Sequence, residues 1–181
     1  VNWVPDKNFK VKNALELGTA SIVTPGGTLS LPSATDTVVG RNTTDTLANK
    51  TILSAEEITT ISATAATGTI NLDVITQSIL YFTSNASANW TLNIRGNSST
   101  TLNSILPVGS TITVVFMVTQ GSTAFYQTGF QIDGSSHTPR WQGGSAPTEG
   151  NASGIDIYSF SITKTAATPT YLTIGTMAGF A

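Results

Sequence analysis

Thr111-Ile112-Thr113-Val114-Val115-Phe116-Met117-Val118-Thr119 runs for nine residues without a charge, a glycine or a proline. A strand sends successive side chains to opposite faces, so Ile112, Val114, Phe116 and Val118 share one face. Thr111, Thr113, Val115, Met117 and Thr119 occupy the other. Apolar residues stand on both faces, which is the composition of a strand covered largely on both sides. The period is two, not the 3.6 of a helix.

The same alternation recurs on either side of this stretch. Trp90, Leu92 and Ile94 alternate with Thr91, Asn93 and Arg95, giving an inward apolar row and an outward polar one with Arg95 facing solvent. Tyr158, Phe160 and Ile162 form a further inward row, with Ser159, Ser161 and Thr163 opposite. Further strands are expected at Ile79 to Thr83, Phe125 to Ile132, His137 to Gln142 and Tyr171 to Ile174. Turn chemistry separates these runs at Asn97-Ser98-Ser99, Pro107-Val108-Gly109, Gln120-Gly121-Ser122, Asp133-Gly134-Ser135 and Gly143 to Gly154. About eight strands result, the number of a jelly roll. The expectation is an all-β chain whose C-terminal part, 69–181, is a jelly-roll-like β-sandwich head domain.

Toward the N-terminus the composition changes. Residues 1–57 hold eleven of the eighteen charged side chains. Regular structure is interrupted there by Thr24-Pro25-Gly26-Gly27 and Pro32-Ser33. This part reads as an extended, turn-rich stalk. It contains a nine-residue echo: Thr35-Asp36-Thr37-Val38-Val39-Gly40-Arg41 returns as Thr44-Asp45-Thr46-Leu47-Ala48-Asn49-Lys50. Gly40 and Asn49, the residue types most tolerant of left-handed backbone, hold equivalent places. A unit this short completes a core only against stacked neighbours or other chains. Residues 58–68 are expected to connect stalk to head, with Glu56 to Ala66 either a short helix capped by Ser54 or a plain connector.

Charged residues make up only 10% of the chain, where a soluble domain carries roughly 25%. Ser and Thr, about 28% of the residues, take their place. With so few charges to wet the outer faces of its sheets, those faces are expected to be covered by uncharged hydroxyls or by other subunits, and a homotrimer does the latter by rotational symmetry. The net charge of −2 and the scattered basic residues, of which Lys7, Lys10 and Lys12 are the densest group, give no footprint for a phosphate backbone. No nucleic-acid partner is therefore expected. No apolar stretch approaches a membrane span and no leader-like segment is visible, so no membrane insertion is expected either.

Chemistry has little to work with. There is no cysteine and one histidine, His137. Asp133 and Ser136 lie near it in sequence, but a strand or turn does not bring such neighbours into triad geometry. The head offers only Asp73, Asp133, Glu149 and Asp156 for a pair of carboxylates, and the first three sit beside turns, where capping is their usual role. Asp156 has the parity of the Tyr158 row. No phosphate loop, dinucleotide fingerprint, calcium loop or zinc motif is present. No enzymatic activity, catalytic residue, cofactor or metal is expected. Trp90, Tyr126, Trp141 and Tyr171 are the side chains able to stack on a sugar ring. Trp90 has inward parity, which leaves Trp141, beside Gly143-Gly144, as the candidate for receptor or glycan binding.

Val39-Gly40-Arg41-Asn42-Thr43-Thr44-Asp45-Thr46-Leu47-Ala48-Asn49-Lys50-Thr51-Ile52 resembles the GR-x-T-T-D-T-L-x-N-K-T-[LI] element of tail-fibre and related virion proteins of tailed phages. Trp141-Gln142-Gly143-Gly144-Ser145-Ala146-Pro147, Asp156-Ile157-Tyr158-Ser159-Phe160 and Gly179-Phe180-Ala181 are similar to C-terminal domains of structural proteins from marine, particularly cyanobacterial, phages. The resemblance implies a homotrimeric short fibre or spike on the virion surface. Its N-terminal part would dock on other virion proteins, and its β domain, outermost, would adhere to the host surface, including its glycans. Two other readings are a capsid decoration (cement) protein stabilising the head, and a carbohydrate-binding module without structural duty.

Overall fold

A computed structural model describes residues 21–24, 27–30, 51, 53, 54 and 56–181. The chain divides into two units, Val1–Leu53 and Ser54–Ala181. In the first, strands β1 (Ser21–Thr24) and β2 (Gly27–Ser30) pair antiparallel, with Thr24 opposite Gly27. The Thr35–Lys50 echo and all of the Val39–Ile52 motif except Thr51 lie outside the described residues. So do the 7, 10 and 12 lysines and most of the expected stalk.

The second unit is nearly all strand. Its elements are β3 (Thr59–Ala65), β4 (Gly68–Asp73), β5 (Ile79–Ser84), β6 (Trp90–Arg95), α1 (Leu102–Ile105), β7 (Thr111–Thr119), β8 (Gln127–Ile132), β9 (Ser135–Ser136), β10 (Arg140–Trp141), β11 (Ile155–Ala166) and β12 (Thr170–Phe180). They form two sheets, a six-stranded one in the order β10-β12-β11-β7-β5-β3 and a four-stranded one in the order β4-β6-β8-β9. A two-sheet, all-β architecture is what the alternating rows predict.

The connections differ from a jelly roll. From β3 to β8 each strand lies in the opposite sheet from the one before it, so β3, β5 and β7 pair in parallel, as do β4, β6 and β8. A jelly roll is built from antiparallel Greek keys. Here the chain winds in laps, one strand per sheet per lap, because the links are arches that turn across the core and not hairpins along one sheet. Only afterwards does it become antiparallel, with β8 turning into β9 and with β11 pairing to both β7 and β12. The β8–β9 turn is Asp133-Gly134, with φ of 52° and 77°. Two left-handed residues make the tight turn whose twist matches paired strands.

A second expectation is also corrected. Glu56 to Ala66 holds no helix: Thr59–Ala65 is the edge strand beside β5. Its run of Thr, Ile and Ser favours an extended chain, and Ser54, with φ of 54°, lacks the extended backbone of a helix N-cap.

The core lies between the sheets. Val114, Phe116, Val118, Tyr158, Phe160 and Ile162 meet Leu72, Trp90, Leu92, Ile94, Phe130 and Ile132, all of them buried. Trp90 stands edge-on to Phe116, centroids 5.8 Å apart and planes at 67°. Buried Leu102 and Leu106 plug the end beside α1. Asp133 accepts from the backbone N–H of Leu102 (2.6 Å) and Asn103 (3.0 Å), and so satisfies donors that a helix start leaves orphaned. Asn93, expected outward, is buried instead. Its amide donates to Asn71 Oδ1 (2.8 Å), and its carbonyl oxygen accepts from the Gly134 N–H (2.9 Å), so β9 and its turn cover it.

Candidate functional site

Trp141 ends the two-residue strand β10, whose parallel pairing sets it beside Gly175 of β12. A Cβ at Gly175 would come within 2.8 Å of the Phe160 ring and 3.2 Å of the Trp141 ring. The bare backbone therefore lets the indole settle against the core. Its ring lies edge-on to Phe160 (5.5 Å, 71°) and to Tyr158 (6.4 Å, 78°). The indole is half-buried, gripped from within and open to solvent outside.

Two cavities flank this ring. One, of about 590 Å³, lies beneath the segment that follows Trp141, and Gln142, Thr148, Glu149, Asn151 and Met177 line it with the indole. The other, of about 310 Å³, is lined by Gln127, Thr128, Phe130, Ser136 and His137 together with the same indole. Both volumes are in the range of roughly 300–1,000 Å³ usual for small-molecule sites. Among the described residues no lysine or arginine lines either one. The aromatic candidate from the sequence thus lines both hollows.

The segment after Trp141 is held in a defined shape. Residues 142–144 form a short 3-10 turn, with Gly143 and Gly144 at φ of 77° and 86°. Further along, the Asn151 N–H donates to both oxygens of Asp156 (3.2 and 3.1 Å), and Gln120 Nε2 donates to Asp156 Oδ2 (2.9 Å) and to the Phe125 carbonyl (2.6 Å). The Gly154 carbonyl accepts from the Gln120 N–H (2.9 Å). Asp156 points inward, as its parity predicts, and is fully buried. Burial raises its pKa above the ordinary carboxylate value, against the lowering effect of the hydrogen bonds from Asn151 and Gln120. Its role is to tie the far end of the loop to the sheet.

The floor of the smaller hollow carries polar atoms without partners in the chain. Gln127 is buried, its N–H donates to the Tyr158 hydroxyl (3.3 Å), and its Oε1 makes no hydrogen bond. His137 Nε2 is likewise buried and unbonded. Such atoms cost stability unless something polar reaches them. Burial lowers the His137 pKa, which keeps the ring neutral, with one nitrogen a donor and the other an acceptor. The ring rests edge-on to Tyr171, 6.3 Å away, and tilted to Phe130 at 6.1 Å.

The other candidates are dispersed. Trp90 is in the core, as its parity requires. Tyr171 packs on His137, and Tyr126 is half-buried beside Asn89, whose Oδ1 accepts its N–H. Asp73 pairs with Arg95 at 2.7 Å, Asp133 receives the start of α1, and Glu149 alone of the four carboxylates lines the Trp141 groove. Among the described residues no three His, Asp or Glu side chains gather around a metal position. The arrangement at Trp141 can stack a ring and hydrogen-bond to it. Gln127, Asn151 and the orphaned His137 nitrogen belong to this site only through pairings distant in sequence, and no local pattern marks them. In comparisons with protein-family models, with curated proteins and with solved structures, nothing matches this chain.

Proposed function

We propose that the chain is a non-enzymatic structural protein of a phage particle, a homotrimeric short fibre or spike. Its N-terminal segment docks on other virion proteins, and its β-sandwich head faces the host. One observation carries this reading: across β12, β11, β7, β5 and β3 the outer face of the six-stranded sheet has no charged residue, and the charge beside it is Arg140 of the edge strand β10, opposite Ile174. Register lines up Ala178, Ile157, Met117, Tyr81 and Ile61 in one row across five strands, and Thr176, Ser159, Val115, Ile79 and Thr59 in the next. Ile174 and Leu172, 50% and 40% exposed, extend the same face. Ile155 and Phe180 add to it, and hydroxyls fill most of what is left, with Thr111 bonded to Thr163 at 2.7 Å.

Five strands about 4.8 Å apart and about nine residues long present on the order of 600 Å² of face. A stable interface takes roughly 800 Å² of accessible surface from each partner. The two are of the same order. A face that carries no charge across these five strands meets its own copy without repulsion over that area, and rotational symmetry requires that the same patch be used on every chain. The sequence motif at Val39–Ile52 supports placement on a virion.

The experiment is a subunit count by light scattering on dilute protein, joined to mass spectrometry of separated heads and tails. Trimers recovered with tails are the expected result. Trimers recovered with heads would move the protein to capsid decoration. A stable monomer absent from particles would overturn the proposal.

A further inference from the structure

We infer that the groove across Trp141 binds a neutral saccharide, a chain of uncharged sugar rings with one ring stacked on the indole. The inference rests on the adhesive reading of the head given above and names the ligand class of that surface. A sugar ring has an apolar C–H face and a rim of hydroxyls, and it needs one flat aromatic with amides around it. The groove supplies that set. Gln142 and Asn151 offer amides on one side of Trp141, and on the other Gln127 Oε1 and His137 Nε2 lie buried beneath the lining without a partner among the described residues. Gln127 is 4% exposed, so its Oε1 has been withdrawn from bulk water without receiving a partner from the chain.

Charge selects the class. Glu149 is the acidic side chain on the larger hollow, and among the described residues no lysine or arginine lines either hollow to meet a uronate or a sialate. An acidic glycan would bring its carboxylate toward Glu149 uncompensated. A proline-rich peptide needs an aromatic-lined channel, whereas among the described residues Trp141 is the one aromatic side chain on the larger hollow.

The site also stays free in the assembly. Met177 and Gly179, which line the groove, alternate along β12 with Ala178 and Phe180, so they face away from the sheet surface assigned to the trimer.

The test titrates cellohexaose, maltohexaose and chitohexaose, with hexagalacturonate and a proline-rich decapeptide as the competing classes, into the intact chain by calorimetry and NMR. At least one neutral hexasaccharide is expected to bind and to shift the Trp141 indole resonance. Trp141→Ala is expected to weaken that binding about tenfold or more. Because Trp141 also packs on Phe160, Gln142→Ala, at an exposed position, is the second variant. It is expected to weaken binding by about threefold with an unchanged Tm. Failure of all three neutral sugars to bind folded protein, preference for the acidic sugar or the peptide, or wild-type binding by both variants would overturn the inference. Binding is read on purified protein whatever its subunit count, so this result and the trimer result fail independently.

Discussion

Trp141 and Phe160 meet edge to face, 5.5 Å between centroids and 71° between planes, with the backbone of Gly175 against both rings. A surface aromatic is thereby locked to the core through one glycine. Gly175→Ala puts a methyl group into the Phe160 ring, and overpacking of this kind costs about 1–3 kcal/mol. Urea denaturation should show that loss. Tryptophan fluorescence should report a displaced indole, and saccharide affinity should fall with it.

Asp156 gives a pH signature. Its raised pKa means that the folded state takes up a proton before the unfolded chain does. The resulting stabilisation is fully present below the unfolded value of about 3.9 and is lost as pH rises through the folded value. Asp156→Asn removes this dependence. The unfolding free energy of wild type relative to the variant should therefore increase on acidification, measured by denaturant titration from neutral to acid pH. The contribution of His137 has the opposite sign, since its lowered pKa costs stability below about 6.5, and it cancels in the comparison.

Met117 is half-buried on the outer face of the six-stranded sheet, between Ile157 and Tyr81. Met117→Lys should abolish assembly at micromolar concentration and leave the far-ultraviolet circular dichroism of the separated chain as it was. Light scattering reads the first outcome and spectroscopy the second. A trimer surviving with lysine on that face would place the interface elsewhere.

Asp133 holds the start of α1 through two backbone N–H groups. Removing such a cap costs about 0.5–2 kcal/mol, and alanine in the left-handed backbone of this residue costs roughly 1–2 kcal/mol more. Asp133→Ala should lose the sum, and Asp133→Asn, which tolerates that backbone and keeps one acceptor, markedly less. Thermal unfolding of the two variants side by side is the check.

The inner rows of β6, β7 and β11 were legible in the sequence because alternation is local: Trp90, Phe116, Tyr158 and Phe160 needed only their neighbours to declare a face. The Asp133-Gly134 turn was legible for the same reason. Sheet switching was not, since a strand that arches across the core and one that turns back in its own sheet carry the same period. Strand β3 was missed because Glu56 to Ala66 mixes small, charged and hydroxylated residues with no clear period. Asn93 looked like a surface residue until β9 folded over it. Trp141 stood out as an aromatic beside a glycine turn, whereas its seat on Gly175 and its neighbours Gln127 and Asn151 come from chain segments that only the folded protein brings near.

The winding of β3 to β8 has a consequence for growth. Each lap adds one strand to either sheet and hands the next lap the same pair of edges, so duplicating a lap would lengthen the body by about 4.8 Å without redesigning what lies on either side. A shaft of adjustable reach could arise from such a plan by copying alone, with the β11–β12 hairpin as its fixed terminus.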